Sequence, residues 1–498
     1  LQRGNLRETV PQHRHHKDTT MQDKRQFYIN GAWVNPAKAN DMPVIDPSTE
    51  DEVAVISLGD QADTDAAVAA AKTAFASWSQ SSIAERMDLM GQIKSVYDKR
   101  SEDMAQAISL EMGAPIDMSR AQQVGVGNWH IEGFERALAN FKWEKPLGDH
   151  APSHMTIYEP IGVCALITPW NWPMNQIVLK TIPALATGCT MILKPSEIAP
   201  LSGAVWSEIM DEAGVPAGVY NMVQGDGVGV GSQLSAHKDV DMISFTGSTR
   251  AGKLISKSAA DTIKRVTLEL GGKGANIIFP SAKENAATSG AQRVFNNTGQ
   301  SCNAPTRMLV HEDRYDQAVE DVIAAANACK VGPGSEEGGH IGPVVSEVQF
   351  NKIQGLIEEG IKEGARLVAG GLGRPDGLNK GYYVRPTVFA DVTNDMTIAS
   401  EEVFGPVFTV QKFSTEEEAI EITNDTDYGL TNYIQCQDDE QKIRVARAVR
   451  SGMVELNRVG FGQGYAFGGY KQSGNGREGG EFGLHEYLET KSVSDWPM

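Results

Sequence analysis

Short β-rich runs alternate with helix-length segments through the middle of this chain, and that alternation constrains the fold more than any other feature. Residues 163–168 are β-rich, and 175–187 read as a helix closed by Gly188. Residues 190–193 read as a strand stopped by Pro195, 201–213 as a helix ending at Gly214, and 220–223 as a strand. A helix is expected from near Val228, a strand over 242–245, a helix from about Thr249 and a strand over 265–270. Strands separated by helices predict a parallel sheet covered on both faces. The pattern restarts after Gly271-Gly272, with strand 276–279, helix 282–296, strand 308–311 and helix 313–329. A second series after a double glycine predicts a second α/β domain, a hinge near 271–274 and a cleft between the two units. Ligand sites favour such clefts.

A chain of 498 residues is too long for one ordinary core, which fits two or three domains. The formal net charge of -19 argues against a nucleic-acid partner, whose binding needs dense Lys and Arg. The cysteines, Cys164, Cys189, Cys302, Cys329 and Cys436, are odd in number, widely spaced and free of any C-x-x-C. That speaks against a disulfide framework and against a metal site, and for a reducing, cytoplasmic setting. No apolar run approaches the roughly 20 residues that cross a bilayer, so no membrane partner is expected. Residues 1–20 are basic and rich in histidine, without the apolar stretch of a secretory signal. Residues 1–24 are expected to be a disordered tail, with Met21 as the natural start.

Two segments carry chemistry. Glu269 lies in Leu268-Glu269-Leu270-Gly271-Gly272-Lys273, and Cys302 follows Gly299-Gln300-Ser301. A thiol can attack a carbonyl, and a carboxylate can activate the water that releases the acyl group. The other four cysteines sit in apolar, strand-like or helix-end contexts and read as packing. Phe245-Thr246-Gly247-Ser248-Thr249-Arg250-Ala251-Gly252 follows a strand and opens a helix, where small residues let a pyrophosphate approach. Its spacing is G-x-x-x-x-G, so taken alone it serves equally as a plain turn. Lys194-Pro195-Ser196-Glu197 ends the preceding strand, and a carboxylate there can accept bonds from ribose hydroxyls and repel a 2′-phosphate. Lys194 pulls the other way.

With Pro169-Trp170-Asn171-Trp172-Pro173 and Glu401-Glu402-Val403-Phe404-Gly405-Pro406, these ordered motifs resemble the NAD(P)-dependent aldehyde dehydrogenase superfamily. The resemblance runs from about Phe27 to about Val493. It implies an α/β fold with a Rossmann-like cofactor domain, a second α/β catalytic domain and a small β oligomerisation arm. The corresponding segments are 25–140 and 159–271 for the cofactor domain, 272–470 for the catalytic domain, and 141–158 with 471–498 for the arm and C-terminal segment. A homodimer or homotetramer is implied, through a β-arm joined by a C-terminal strand near 490–495.

The resemblance also implies roles. Cys302 is the nucleophile. The Asn171 amide and the Cys302 backbone N–H form the oxyanion hole, and Glu269 is the general base of deacylation. Lys180 and Glu478 relay its proton. Thr168, Trp170, Lys194, Glu197, Gly227, Gly231, Thr246, Gly247, Ser248, Leu270, Lys352, Glu402 and Phe404 hold the cofactor, NAD in preference to NADP because of Glu197. The reaction is oxidation of a small-molecule aldehyde to an acid through a thiohemiacetal and a thioester on Cys302.

Trp172, Gln176, Leu179, Ser301, Asn303, Phe461 and Phe467 match the substrate mouth, a set without an arginine pair. It suggests a hydrophobic or mildly polar aldehyde rather than one bearing an acid. Two positions depart from the family pattern: Gly274, where a small polar residue is usual, and Ala466, where proline is usual. Both are expected to loosen local backbone. The rival readings are a CoA-acylating enzyme, which Glu269 disfavours, a cysteine esterase activity, and a non-catalytic protein on the same fold.

Overall fold

The computed structural model describes residues 21–497. The expected tail lies outside the described residues up to residue 20; beyond that, Gln22–Asp23 pairs in parallel with Asp51–Ser57 in a small sheet. The order at 22–23 corrects the boundary of the expected tail. Hydrogen bonding to a neighbouring strand holds a segment that carries no core residues of its own.

An eight-stranded sheet runs in the order Gly474–Asn475, Arg265–Glu269, Met242–Thr246, Val163–Ile167, Thr190–Lys194, Tyr220–Met222, Phe27–Ile29, Ala32–Val34. The five strands from Arg265–Glu269 to Tyr220–Met222 pair in parallel. Val163–Ile167, Thr190–Lys194 and Met242–Thr246 are buried along their whole length, as strands covered on both faces must be. The chain leaves Val163–Ile167 toward Thr190–Lys194 on one side and later returns to Met242–Thr246 on the other. Strand order therefore reverses between Val163–Ile167 and Met242–Thr246. A crevice opens beyond the carboxyl ends of such a pair, which is where ligands of open α/β sheets bind.

Several helices cover this sheet. Pro173–Thr187 starts with proline in its first turn and stops at Gly188, whose φ of 90° ends it in the left-handed region. Thr249–Ala259 is capped by Ser248, whose hydroxyl accepts from the Ala251 N–H. Near Val228 the chain forms a short π-turn, Gly227–Gly231, before the helix Ser232–Ala236.

The second series forms a seven-stranded sheet in the order Arg366–Ala369, Thr387–Ala390, Val407–Phe413, Arg307–His311, Ala275–Ile278, Thr431–Gln435, Met453–Leu456. All its pairings are parallel except that of Arg366–Ala369. A third sheet joins Glu144–Pro146, Met155–Pro160 and Leu488–Val493, the last two in antiparallel register from Leu488–Pro160 to Val493–Met155. No helix among the described residues is long and apolar enough to cross a membrane.

Candidate active site

Glu269 ends a strand of the first sheet, while Cys302 sits in the loop leading to Arg307–His311 of the second. Both line one cavity of about 210 Å³, together with Trp170, Asn171, Thr246, Gly247, Ser248, Leu270, Lys352, Glu402 and Phe404. Eleven residues expected from sequence thus meet at the crevice below the strand-order reversal. Close backbone packing allows the meeting. A Cβ at Gly272 would sit 2.3 Å from the Cys302 carbonyl oxygen, and one at Gly299 only 1.9 Å from that of Gly405. Asn297, Thr298 and Gly299 take successive positive φ values of 52°, 56° and 70°, which turn the chain sharply before the thiol. Side chains fix that turn. The Asn297 amide donates to the carbonyls of Asn171 (2.8 Å) and Gln300 (3.1 Å), and the Gln300 side chain accepts from the Val345 N–H at 2.9 Å.

Asn171 is buried, and its Nδ2 donates to the Gln300 carbonyl at 3.1 Å. An amide nitrogen has a second hydrogen, which has no acceptor among the described residues. The Cys302 backbone N–H likewise finds no carbonyl among the described residues. Burial, then Glu402 and Glu269, push the Cys302 thiol well above the ordinary thiol range, while the backbone N–H groups of Cys302 and Asn303 pull it down. The side chain is half-buried and packs against the cluster of Leu430, Met453 and Phe467, as Phe461 and Tyr465 also do.

Glu269 is 3% exposed, and neither carboxyl oxygen has a hydrogen-bond partner among the described residues. An unpartnered buried carboxyl is costly and is a mark of a functional site. Burial, followed by the neighbouring Glu478, raises its pKa well above the carboxylate range; Lys180 and Arg477 oppose the rise. Lys180 and Glu478 form a buried ion pair behind it. One oxygen of Glu478 has no partner among the described residues, so the pair has an acceptor to spare.

The other expected contacts occupy the rest of the crevice. Trp170 and Phe404 meet edge to face at 5.4 Å between centroids, and Phe404 holds a φ of 59°. Glu402 accepts from the Gly272 N–H at 2.8 Å, and Lys352 donates to the Glu402 carbonyl at 2.9 Å. Farther along lie Thr168, Lys194 and Glu197. The Thr168 N–H donates to the Lys194 carbonyl at 3.1 Å, and the Lys194 ammonium meets Glu197 at 3.2 Å. A Cβ at Gly231 would lie 4.0 Å from the Lys194 stem, which brings the Gly227–Gly231 turn to the same end.

A dinucleotide fits these residues. The Thr168 and Thr246 hydroxyls, at adjacent strand ends, are buried without partners among the described residues, and the helix starting at Thr249 presents its N-terminus to the crevice. Gly271 and Gln349 also line the cavity and were not singled out from sequence. Gln349 donates to the Phe404 carbonyl at 2.8 Å and fixes that strained residue. A polar side chain three residues before Lys352 on one helix was the available signal.

The sequence profile described as Aldehyde dehydrogenase family matches residues 33–493. The chain belongs to the aldehyde dehydrogenase family. It is 48% identical to a 3-succinoylsemialdehyde-pyridine dehydrogenase of Pseudomonas sp, over 95% of this chain and 99% of that protein. The crystal structure of an aldehyde dehydrogenase from Bartonella henselae superposes with a TM-score of 0.95 at 56% identity, covering 96% of this chain and 100% of that one. A mutant of aldehyde dehydrogenase C from Pseudomonas syringae, crystallised with NAD+ and octanal, superposes with a TM-score of 0.93 at 46% identity, covering 95% and 97%. The α/β architecture expected from the family resemblance is thus the one observed.

Trp172, Ser301 and Asn303 line an outer cavity, Phe467 belongs to the cluster against which Cys302 and Phe461 pack, and Gln176 and Leu179 are buried in the helix Pro173–Thr187. Tyr465, stacked on Phe461 at 4.7 Å, joins the aromatic wall without having been foreseen. Gly274 does not loosen the backbone. A Cβ there would meet the Thr431 carbonyl at 2.3 Å, so glycine permits a close strand contact.

Proposed function

We propose that this chain oxidises an aldehyde to a carboxylic acid with NAD, through a thioester on Cys302 that water hydrolyses. The observation that carries the reading is the shared cavity of Cys302, Asn171 and the unpartnered Glu269 beside a dinucleotide-shaped crevice. When bound, NAD supplies the acceptor for the hydrogen and two electrons that leave the aldehyde carbon. The Cys302 sulfur adds to the carbonyl carbon, and the free Asn171 N–H and the Cys302 backbone N–H stabilise the oxygen that becomes negative. Glu269 then takes a proton from the water that attacks the thioester and passes it toward Glu478 and Lys180. Glu269 is the reason for preferring hydrolysis to transfer onto CoA.

Residues 25–140 and 159–271 would carry the cofactor and 272–470 the nucleophile. Thr168, Trp170, Lys194, Gly227, Gly231, Thr246, Gly247, Ser248, Leu270, Lys352, Glu402 and Phe404 are the proposed cofactor contacts. Glu197 at the adenosine end favours NAD over NADP by repelling a 2′-phosphate. The test is formation of reduced nicotinamide over a panel of aldehydes, with NAD and NADP, as a function of pH. Glu269 and Cys302 both act in their deprotonated forms, and burial raises the pKa of both. The rate is therefore expected to rise with pH from above the ordinary carboxylate range into the alkaline range, with kcat/KM higher for NAD. No signal with either cofactor sinks the proposal; a flat or falling profile sinks the assignment of those two groups.

A homodimer or homotetramer follows from the same reading, as does a cytoplasmic setting. Glu144–Pro146 and Leu488–Val493 are the outer strands of their sheet, each with a free edge among the described residues that a second copy can cover. Light scattering is expected to give at least twice 53.8 kDa, and a monomer at micromolar concentration contradicts the assembly.

A further inference from the structure

An outer cavity of about 450 Å³ opens on the face of the Cys302 turn away from the cofactor crevice. Ser301 and Asn303, which flank the thiol, and Trp172, which follows Asn171, form its floor; Trp172 Nε1 donates to the Ser301 hydroxyl at 2.7 Å. The walls are amides, from Gln122, Gln292 and Asn296, and its charged lining residues are Arg293 and Arg458, with no carboxylate. The two arginines differ. Arg293 is already used: it pairs with the buried Glu455 at 2.9 Å and lies over the Tyr433 ring at 4.7 Å. Arg458 is exposed and makes no ion pair or hydrogen bond among the described residues, and Glu455, the nearby carboxylate, is held by Arg293.

Arg458 is also held in place. It and Asn457 take positive φ values of 62° and 52°, a costly pair of conformations for residues with side chains. The Asn457 side chain fixes the turn by accepting from the Cys436 N–H at 2.9 Å and donating to the Cys436 carbonyl at 2.7 Å. A strained, braced loop thus carries an unpaired guanidinium to the rim of a cavity lined with amides, whose lining includes Ser301 and Asn303 on either side of Cys302.

We propose that Arg458 is a specificity-determining residue that receives a carboxylate at the far end of the aldehyde substrate, while the aromatic wall of Phe461, Tyr465 and Phe467 packs its middle. The substrate class is thus an aldehyde with a distal acid group. This deepens the aldehyde-oxidising reading and rests on it. It also reverses the expectation drawn from sequence, since the residues matched to the mouth held no arginine and Arg458 joins them only in the fold.

The test compares straight-chain ω-oxo acids with n-alkanals of equal length. In the wild type, at one or more chain lengths, kcat/KM is expected to favour the oxo acid over the alkanal. That ratio should fall about tenfold in Arg458→Ala, chiefly through KM, as expected for loss of a charge-assisted contact. Added salt should raise KM for the oxo acid in the wild type and have little effect on it in Arg458→Ala. Arg458→Lys, which keeps the charge, should recover part of the ratio. An unchanged ratio in Arg458→Ala, or a wild type that favours alkanals at every length, overturns the proposal. Absence of turnover with alkanals and oxo acids alike counts against the aldehyde-oxidising reading itself.

Discussion

The Cys302→Ala variant is expected to lose aldehyde oxidation by about 10⁴-fold or more, since a methyl group forms no thioester and the remaining donors act only on an intermediate that no longer forms. The loss should be confined to chemistry. Cys302 is half-buried and lines the cavity, and only backbone N–H groups, its own and that of Asn303, donate to its sulfur among the described residues. Removing the sulfur therefore leaves the turn of Asn297, Thr298 and Gly299, which Asn171, Gln300 and Gly405 hold from outside. Binding of NAD, followed by quenching of protein fluorescence, should survive in the folded variant. Near-normal turnover in Cys302→Ala would assign the nucleophile to another residue.

In Glu269→Gln the two halves of the reaction should separate. Thiol addition needs Cys302 and the donors of Asn171 and the backbone, all of which are kept. Hydrolysis needs a base, and an amide is none, so steady-state turnover should fall about 10²–10⁴-fold. At most about one equivalent of reduced cofactor per site should form quickly before the slow phase, in keeping with deacylation as the impaired step. Intact mass should find an acyl adduct that maps to Cys302. If Glu269 also deprotonates the thiol, the first phase slows too, and raising the pH should restore part of it because Cys302 then ionises unaided. Glutamine is nearly isosteric and places no charge near Glu478, so the fold should tolerate it. Wild-type-like acid production with no adduct at any pH removes Glu269 from the mechanism and revives transfer to CoA.

The order of strands and helices was legible because burial of a parallel strand on both faces demands a continuous apolar run, as in Val163–Ile167 and Met242–Thr246. Helix ends were legible where one residue has a local reason to sit there, as Gly188 does at φ 90°. The turn before Cys302 was not. Asn297 and Thr298 are ordinary residues held at positive φ by bonds to Asn171 and to the Gly342 carbonyl, far off in sequence. Gly274 misled for a related reason. Its glycine answers a contact with the Thr431 carbonyl on a neighbouring strand.

The sequence by itself determined the doubly built α/β architecture, the change of sheet between Glu269 and Ala275, and the identity of a thiol and a carboxylate in motifs whose local chemistry is complete in a few residues. Only the tertiary structure decided the surroundings that set what those groups can do. Lys180 meets Glu478 across 298 positions of sequence, and together they set the field behind Glu269. Arg458 reaches the rim beside Ser301 and Asn303 because a strand of the second sheet ends there. Local sequence fixes backbone preference and the chemistry a side chain carries. Desolvation and the field of neighbouring charges depend on which distant segments the chain path brings within a few ångströms, and that is settled only when the two sheets close on each other.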